Sequence, residues 1–90
     1  MSEHLTIQID PRHHSIYIYL RAIDAGGVAR TESVGAGVLA DLGPDGELLG
    51  VELLGPGAVQ TFFSLVPVRD QFRSLRELEP KKDLLERLIA

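Results

Sequence analysis

Apolar and polar residues alternate through the first fifty-odd positions of the chain, and the period then lengthens. In His4-Leu5-Thr6-Ile7-Gln8-Ile9, the side chains of Leu5, Ile7 and Ile9 fall on one side and Thr6 and Gln8 on the other. That is the period of a half-buried strand. Asp10-Pro11 interrupts it, because proline offers no N–H to a ladder and disfavours helix at the residue before it. Ile16-Tyr17-Ile18-Tyr19-Leu20 is the strongest strand, with its aliphatic residues on one face and both tyrosines on the other. The linker between these two strands is too short for a parallel crossover, so an antiparallel hairpin is expected.

Further on, Asp24-Ala25-Gly26-Gly27 reads as a turn, since glycine supplies the positive φ that tight turns need. Val28 to Val34 reads as a third strand. Arg30, Thr31, Glu32 and Ser33 make it polar, which suits an edge where charge discourages further pairing. Gly35-Ala36-Gly37 bends the chain again. Val38–Leu42 and Glu47–Leu54 then flank Gly43-Pro44-Asp45-Gly46, strong turn chemistry that predicts a hairpin. Gly50, inside the second of these strands, marks a bulge or a close approach.

After Gly55-Pro56-Gly57 the pattern shifts. Val59, Phe62, Phe63 and Val66 fit an amphipathic helix, while Val59, Thr61, Phe63 and Leu65 fit a strand, and both readings of 58–66 stand. Pro67 kinks or ends the segment. Asp70 is the expected N-cap of a helix through Leu78, with Phe72 and Leu75 facing inward. Pro80 suits the first turn of a last helix that carries Leu84, Leu85, Leu88 and Ile89 on one side. Asp83/Arg87 and Lys82/Glu86 are spaced for i, i+4 pairing along it. So short a helix must pack on something, because isolated helices under about 12–15 residues rarely persist in water. The prediction is an α+β fold in a single domain, 1–90. An antiparallel β-sheet of about five strands, built of hairpins or a meander over 5–54, is followed by two or three C-terminal helices in a helical extension, 58–90.

Composition permits a core, with 44% hydrophobic and 24% charged residues in 90. A domain of this length buries only about 60–70% of its unfolded surface, so shared stability through self-association is expected. The absence of cysteine removes disulfides, thiolate metal sites and thiol nucleophiles. With no signal-like N-terminus and no apolar run long enough for a bilayer, it points to a cytoplasmic protein without a membrane partner. Net charge is −4 and unevenly spread: residues 1–57 hold three basic against eight acidic side chains, and residues 58–90 six against five. An acidic sheet repels phosphates, so nucleic acid is not an expected partner.

Asp10, then Ser15-Ile16-Tyr17-Ile18-Tyr19-Leu20, Asp41, Asp45-Gly46 and Leu49-Gly50-Val51-Glu52-Leu53-Leu54 follow one another in a recognisable order. Over residues 5–54 this order resembles the bacterial family catalogued as domain of unknown function 2283. The resemblance implies a β-rich fold and brings no established activity. Some members look like the small partner of a ribonuclease-type toxin, and the same role here is an analogy.

Each chemical signal has a structural counterpart. Asp41, Asp45, Gly46, Leu48 and Glu52 fall at positions 1, 5, 6, 8 and 12 of a calcium loop, but Gly43 replaces an acidic ligand, Pro44 stiffens the turn and both flanks read as strand. A plain hairpin is expected. His4, His13 and His14 raise a metal site, yet neighbouring side chains on an extended backbone point apart, so no metal and no cofactor is expected. Asp41 and Glu52 would face each other in one hairpin register and could share acid–base work, but no nucleophile or oxyanion donor accompanies them. Tyr17 and Tyr19 are expected to be core if the helices cover them and an aromatic contact patch if they stay open; Phe62 and Phe63 pose the same question. The expected function is therefore a non-enzymatic interaction or structural module that self-associates. A specific version is a small acidic partner of a basic protein, antitoxin-like. The alternative is a small-molecule or metal-binding enzyme using Asp41, Glu52 and a histidine across a subunit interface.

Overall fold

The computed structural model describes residues 5–23 and 26–90. The expected turn at Asp24-Ala25 and the ligand candidate His4 lie outside the described residues. Five strands form one antiparallel sheet: β1 (Thr6–Asp10), β2 (Ser15–Tyr19), β3 (Arg30–Gly35), β4 (Val38–Leu42) and β5 (Leu48–Leu54). Two helices, α1 (Pro56–Leu65) and α2 (Lys82–Ile89), follow, so the fold is α+β.

The β1–β2 and β4–β5 hairpins form where turn chemistry predicted them. Between β1 and β2 the chain makes a 3-10 turn, Pro11–His13, capped by Asp10, whose carboxylate accepts from the His13 backbone N–H at 3.3 Å. His14 completes it in the left-handed region at φ 51°, and its carbonyl accepts from Gly55 N–H at 2.7 Å. The β3–β4 turn needs Gly37: its φ is +73°, and a Cβ there would sit 2.6 Å from the Leu54 carbonyl oxygen.

The strand order is β1-β2-β5-β4-β3, so the sheet is not a simple meander. β2 pairs with β5, and β3 lies at the far edge beyond β4, so β2 to β5 form a Greek-key arrangement. Burial explains the order. β5 is buried along nearly its whole length and takes the centre, whereas β3 is mostly exposed and could not fill a position between two neighbours.

One face of the sheet forms the core. Ile16, Ile18, Val38, Ala40, Val51 and Leu53 project from it, each at most 1% exposed. Against them pack Ala58, Val59, Phe62 and Phe63 of α1, with Val66 just beyond. Residues 58–66 are therefore helix, and the helix begins at Pro56, where the missing N–H costs nothing in the first turn. Phe62 contacts Phe63 edge-on and Phe72 at a tilt, with centroids 5.0 and 5.5 Å apart.

The segment from Asp70 differs from expectation. It runs as a 3-10 helix over Asp70–Lys81, preceded by Arg69, so Asp70 is not an N-cap; its carboxylate instead meets Arg73 at 3.5 Å. The buried residues Phe72, Leu75 and Leu78 recur every third position, which lines one edge of a three-residue turn. Pro80 lies inside this segment rather than opening the last helix. On α2 only Leu85 and Ile89 face the core, while Leu84 and Leu88 are exposed. Neither expected i, i+4 ion pair forms: Arg87 Nε donates to the Asp83 backbone carbonyl at 3.4 Å, and the ion pairs among the described residues lie elsewhere. His14 Nδ1 bonds the Ile89 carbonyl at 2.8 Å and ties the end of α2 to the β1–β2 turn. No helix is long and apolar enough to cross a membrane.

Candidate functional site

With the helices on one face, no described element covers the opposite face of the sheet. Register assigns its side chains in rows. Gln8, Tyr17, Glu52, Leu39 and Ser33 lie across the five strands, and beside them run Thr6, Tyr19, Gly50, Asp41 and Thr31. Asp10, Ser15 and Leu54 begin the next row. Tyr17 and Tyr19 thus stand on the open face, half-buried, with ring centroids 4.4 Å apart and planes tilted by 46°.

Gly50 shapes this pair. A Cβ at position 50 would sit 2.5 Å from the Tyr17 ring, so the missing side chain leaves a trough across β5 in which the ring lies. Along that trough the Tyr17 hydroxyl reaches Asp41 on β4 and donates to its Oδ2. Thr31 on β3 donates to Oδ1 of the same carboxylate at 2.5 Å. One carboxylate therefore joins β2, β4 and β3. Burial, which disfavours the charged phenolate, and then the bond to Asp41, whose carboxylate opposes a second negative charge, push the Tyr17 phenol well above its ordinary range. The Tyr19 hydroxyl donates outward to Gln8 Oε1 at 3.1 Å.

Beside the tyrosines is a polar hollow of about 290 Å³, lined by Gln8, Asp10, Ser15, Tyr17, Tyr19 and Glu52. Asp10 accepts from His13 Nδ1 at 2.7 Å, which holds its carboxyl below the usual carboxylate range. Glu52 makes no side-chain hydrogen bond or ion pair among the described residues. A second hollow, of about 320 Å³, lies beyond Tyr19, against Thr6, Arg21, Ala22 and Ile23.

A model of the family described as "Protein of unknown function (DUF2283)" matches residues 6–55, more than half of the chain. The chain belongs to this family. No curated protein and no solved structure matches it. The DUF2283 match covers the sheet and ends where α1 begins. Within it lie Tyr17, Tyr19, Asp41 and Glu52, together with the whole lining of the polar hollow.

The other sequence candidates distribute differently. Phe62 and Phe63 are 0% and 9% exposed, so they belong to the core and are not surface contacts. Asp41 does not face Glu52: Asp41 is opposite Gly50, and Glu52 is opposite Leu39 and Tyr17. Asp45 is exposed in the β4–β5 turn, where its backbone N–H donates to Glu47 Oε1 at 3.0 Å. The acidic residues of 41–52 thus point to separate partners along a hairpin instead of encircling an ion. His13 and His14 also diverge, one to Asp10 and the other to Ile89. Among the described residues no three His, Asp or Glu side chains gather as metal ligands would. Sequence reasoning gave Gln8, Ser15 and Thr31 no site role, because which strands stand beside Tyr17 follows only from strand order. Gly50 was the usable signal, since a glycine inside a strand makes room for a neighbour.

Proposed function

We propose that this DUF2283 chain is a non-enzymatic protein-interaction module whose uncovered sheet face receives a basic protein partner in the cytoplasm. The observation that carries the reading is the tyrosine pair. It stands half-buried on the one sheet face without a helical layer, among carboxylates and the flanking apolar side chains of Leu39 and Leu54. Tyrosine offers a large rigid contact surface with a polar tip, the residue type enriched where proteins meet. Asp10, Asp41 and Glu52 on this face favour a basic occupant over a second copy of the same face, which would set carboxylate against carboxylate. The non-enzymatic reading draws support from Asp41, whose two oxygens are both committed to Tyr17 and Thr31. An antitoxin-like role fits the same charge balance.

Self-association has its own supporting observation, at an edge rather than on the face. The β3 edge is blunted by Arg30, Glu32 and a register shift between Ser33 and Gly35. The β1 edge has unshifted pairing and a single charge, Asp10, at its end, so it is less protected than the β3 edge.

A photo-crosslinking amino acid placed at Leu54, on the open face, and separately at Leu84, on α2, tests the main reading in the native host. Partner adducts are expected from position 54 and not from 84. Adducts from 84 alone would remove the open face as the contact. Light-scattering mass across a concentration series tests the edge: a rise towards twice the monomer mass is expected, and a constant monomer mass would exclude it.

A further inference from the structure

We propose that the hollow between Gln8, Asp10, Ser15, Tyr17, Tyr19 and Glu52 is a receptor for an arginine side chain of the basic partner. The inference rests on the reading of the open face as an interaction surface and names the chemistry of its central contact.

Donor and acceptor counting leads to this ligand. Both tyrosine hydroxyls have already spent their protons, Tyr17 on Asp41 and Tyr19 on Gln8 Oε1, so towards the hollow their oxygens can only accept. Glu52 presents a carboxylate free of side-chain partners among the described residues, and Asp10 adds a second whose engagement with His13 leaves further lone pairs. The Ser15 hydroxyl can rotate to accept, and the fixed donor in the lining is the Gln8 amide NH2, whose Oε1 already serves Tyr19. A hollow so rich in acceptors calls for a ligand that is mostly donor. Guanidinium carries five N–H donors and no acceptor, and its plane stacks on aromatic rings.

Shape and charge agree. The two rings, 4.4 Å between centroids, form an aromatic wall, and Glu52 sits directly across the ladder from Tyr17. A cation lying against the wall is attracted by the ring faces while its N–H groups reach the carboxylate. None of the six lining residues is basic. Arg21 lies beyond Tyr19 in the neighbouring hollow, and Arg30 pairs with Glu32 at 3.8 Å on the far edge strand. Anions are repelled. A metal ion finds two carboxylates here, one of them engaged by His13, and among the described residues no third His, Asp or Glu joins them.

The chain itself supplies the reporter. Tyr17 and Tyr19 are its only tyrosines and there is no tryptophan, so ultraviolet-excited emission above the weak phenylalanine background comes from the wall of the hollow. The probe is the peptide acetyl-Gly-Arg-Gly-amide. Its citrulline counterpart replaces guanidinium with a neutral urea of nearly the same shape. Saturable change in tyrosine emission is expected with the arginine peptide, together with amide chemical-shift changes confined to residues 8–10, 15–19 and 50–54. The citrulline peptide is expected to give neither. Glu52→Gln should weaken binding by about fivefold, the scale of an exposed charge pair. Asp45→Asn, which removes a carboxylate from the remote turn, should leave binding unchanged. Equal binding of the two peptides, equal loss in both variants, or shifts mapping away from the hollow would overturn the assignment. If crosslinks form from Leu54 while the arginine peptide fails to bind, the arginine receptor is overturned and the contact face stands. Absence of both removes the two together.

Discussion

Tyr17 concentrates the physical chemistry of the open face in one side chain. Its ring lies over a residue without a Cβ, and its hydroxyl is bonded to a carboxylate that also serves Thr31. The phenol's raised pKa has a definite consequence for alkaline stability. A group whose folded pKa exceeds its unfolded value, here 10.0, contributes stability that is fully present below that value and lost as pH rises through the folded pKa. In a Tyr19→Phe protein the one remaining tyrosine is Tyr17, and its phenolate absorbance is expected to develop only above the ordinary phenol range. Adding Asp41→Asn should bring that titration part of the way back, since burial, the larger cause, remains. Gly50→Ala should have a similar effect by another route, because the new methyl displaces the ring and breaks the bond to Asp41. The displaced group is the movable end of a side chain, so the fold should lose no more than about 1 kcal/mol. A normal phenol titration in the Tyr19→Phe protein would show that the bond does not form in solution.

At the scale of elements, the sequence was most readable where structure is local. Alternation located β1, β2, β4 and β5, and the polar run at 30–33 marked β3 as an edge, because side-chain direction in a strand depends only on parity. The placement of β2 beside β5 was not readable, since it depends on which apolar strands compete for the centre of the sheet. Register failed for a specific reason. Leu42 pairs with Leu48 to close the turn tightly, and a shift then sets Asp41 opposite Gly50, two positions short of Glu52. The 3-10 segment was missed because Phe72 and Leu75 fit either period, and only Leu78 as a third buried residue decides for three. The Asp10–His13 turn yields a prediction at this scale. The Asp10 carboxyl is lowered from 3.8 chiefly by its bond to His13, so the stability it contributes is present above that pH and lost as pH falls through the folded value. Thermal midpoints measured from pH 6 down to pH 3 should therefore fall more steeply for the native chain than for Asp10→Asn. Parallel curves would show that the turn carries no acid-sensitive stability.

For the molecule as a whole, the boundary of the family match and the boundary of the core do not coincide. Residues 6–55 contain the sheet and the open face, but the apolar face formed by Ile16, Ile18, Val38, Ala40, Val51 and Leu53 is covered by side chains from 56–90. Phe62, Phe72, Leu75 and Ile89 are each at most 1% exposed, so the second segment supplies half of a shared core rather than an appendage. A sheet with one polar face still needs a partner for the other, and each fully buried large apolar side chain contributes about 1.5–3 kcal/mol relative to exposure. Removing several at once exceeds the 5–15 kcal/mol of net stability usual for a domain. A chain ending at Gly55 is therefore expected to lose cooperative unfolding and bind a hydrophobic dye, or to form multimers that cover the bare face with a second copy. Supplying 56–90 as a separate peptide should restore a sharp thermal transition, because the missing surface is then returned without a covalent link. A truncated monomer that unfolds cooperatively and binds no dye would mean that the sheet carries its own stability, and the helical layer would then need another explanation.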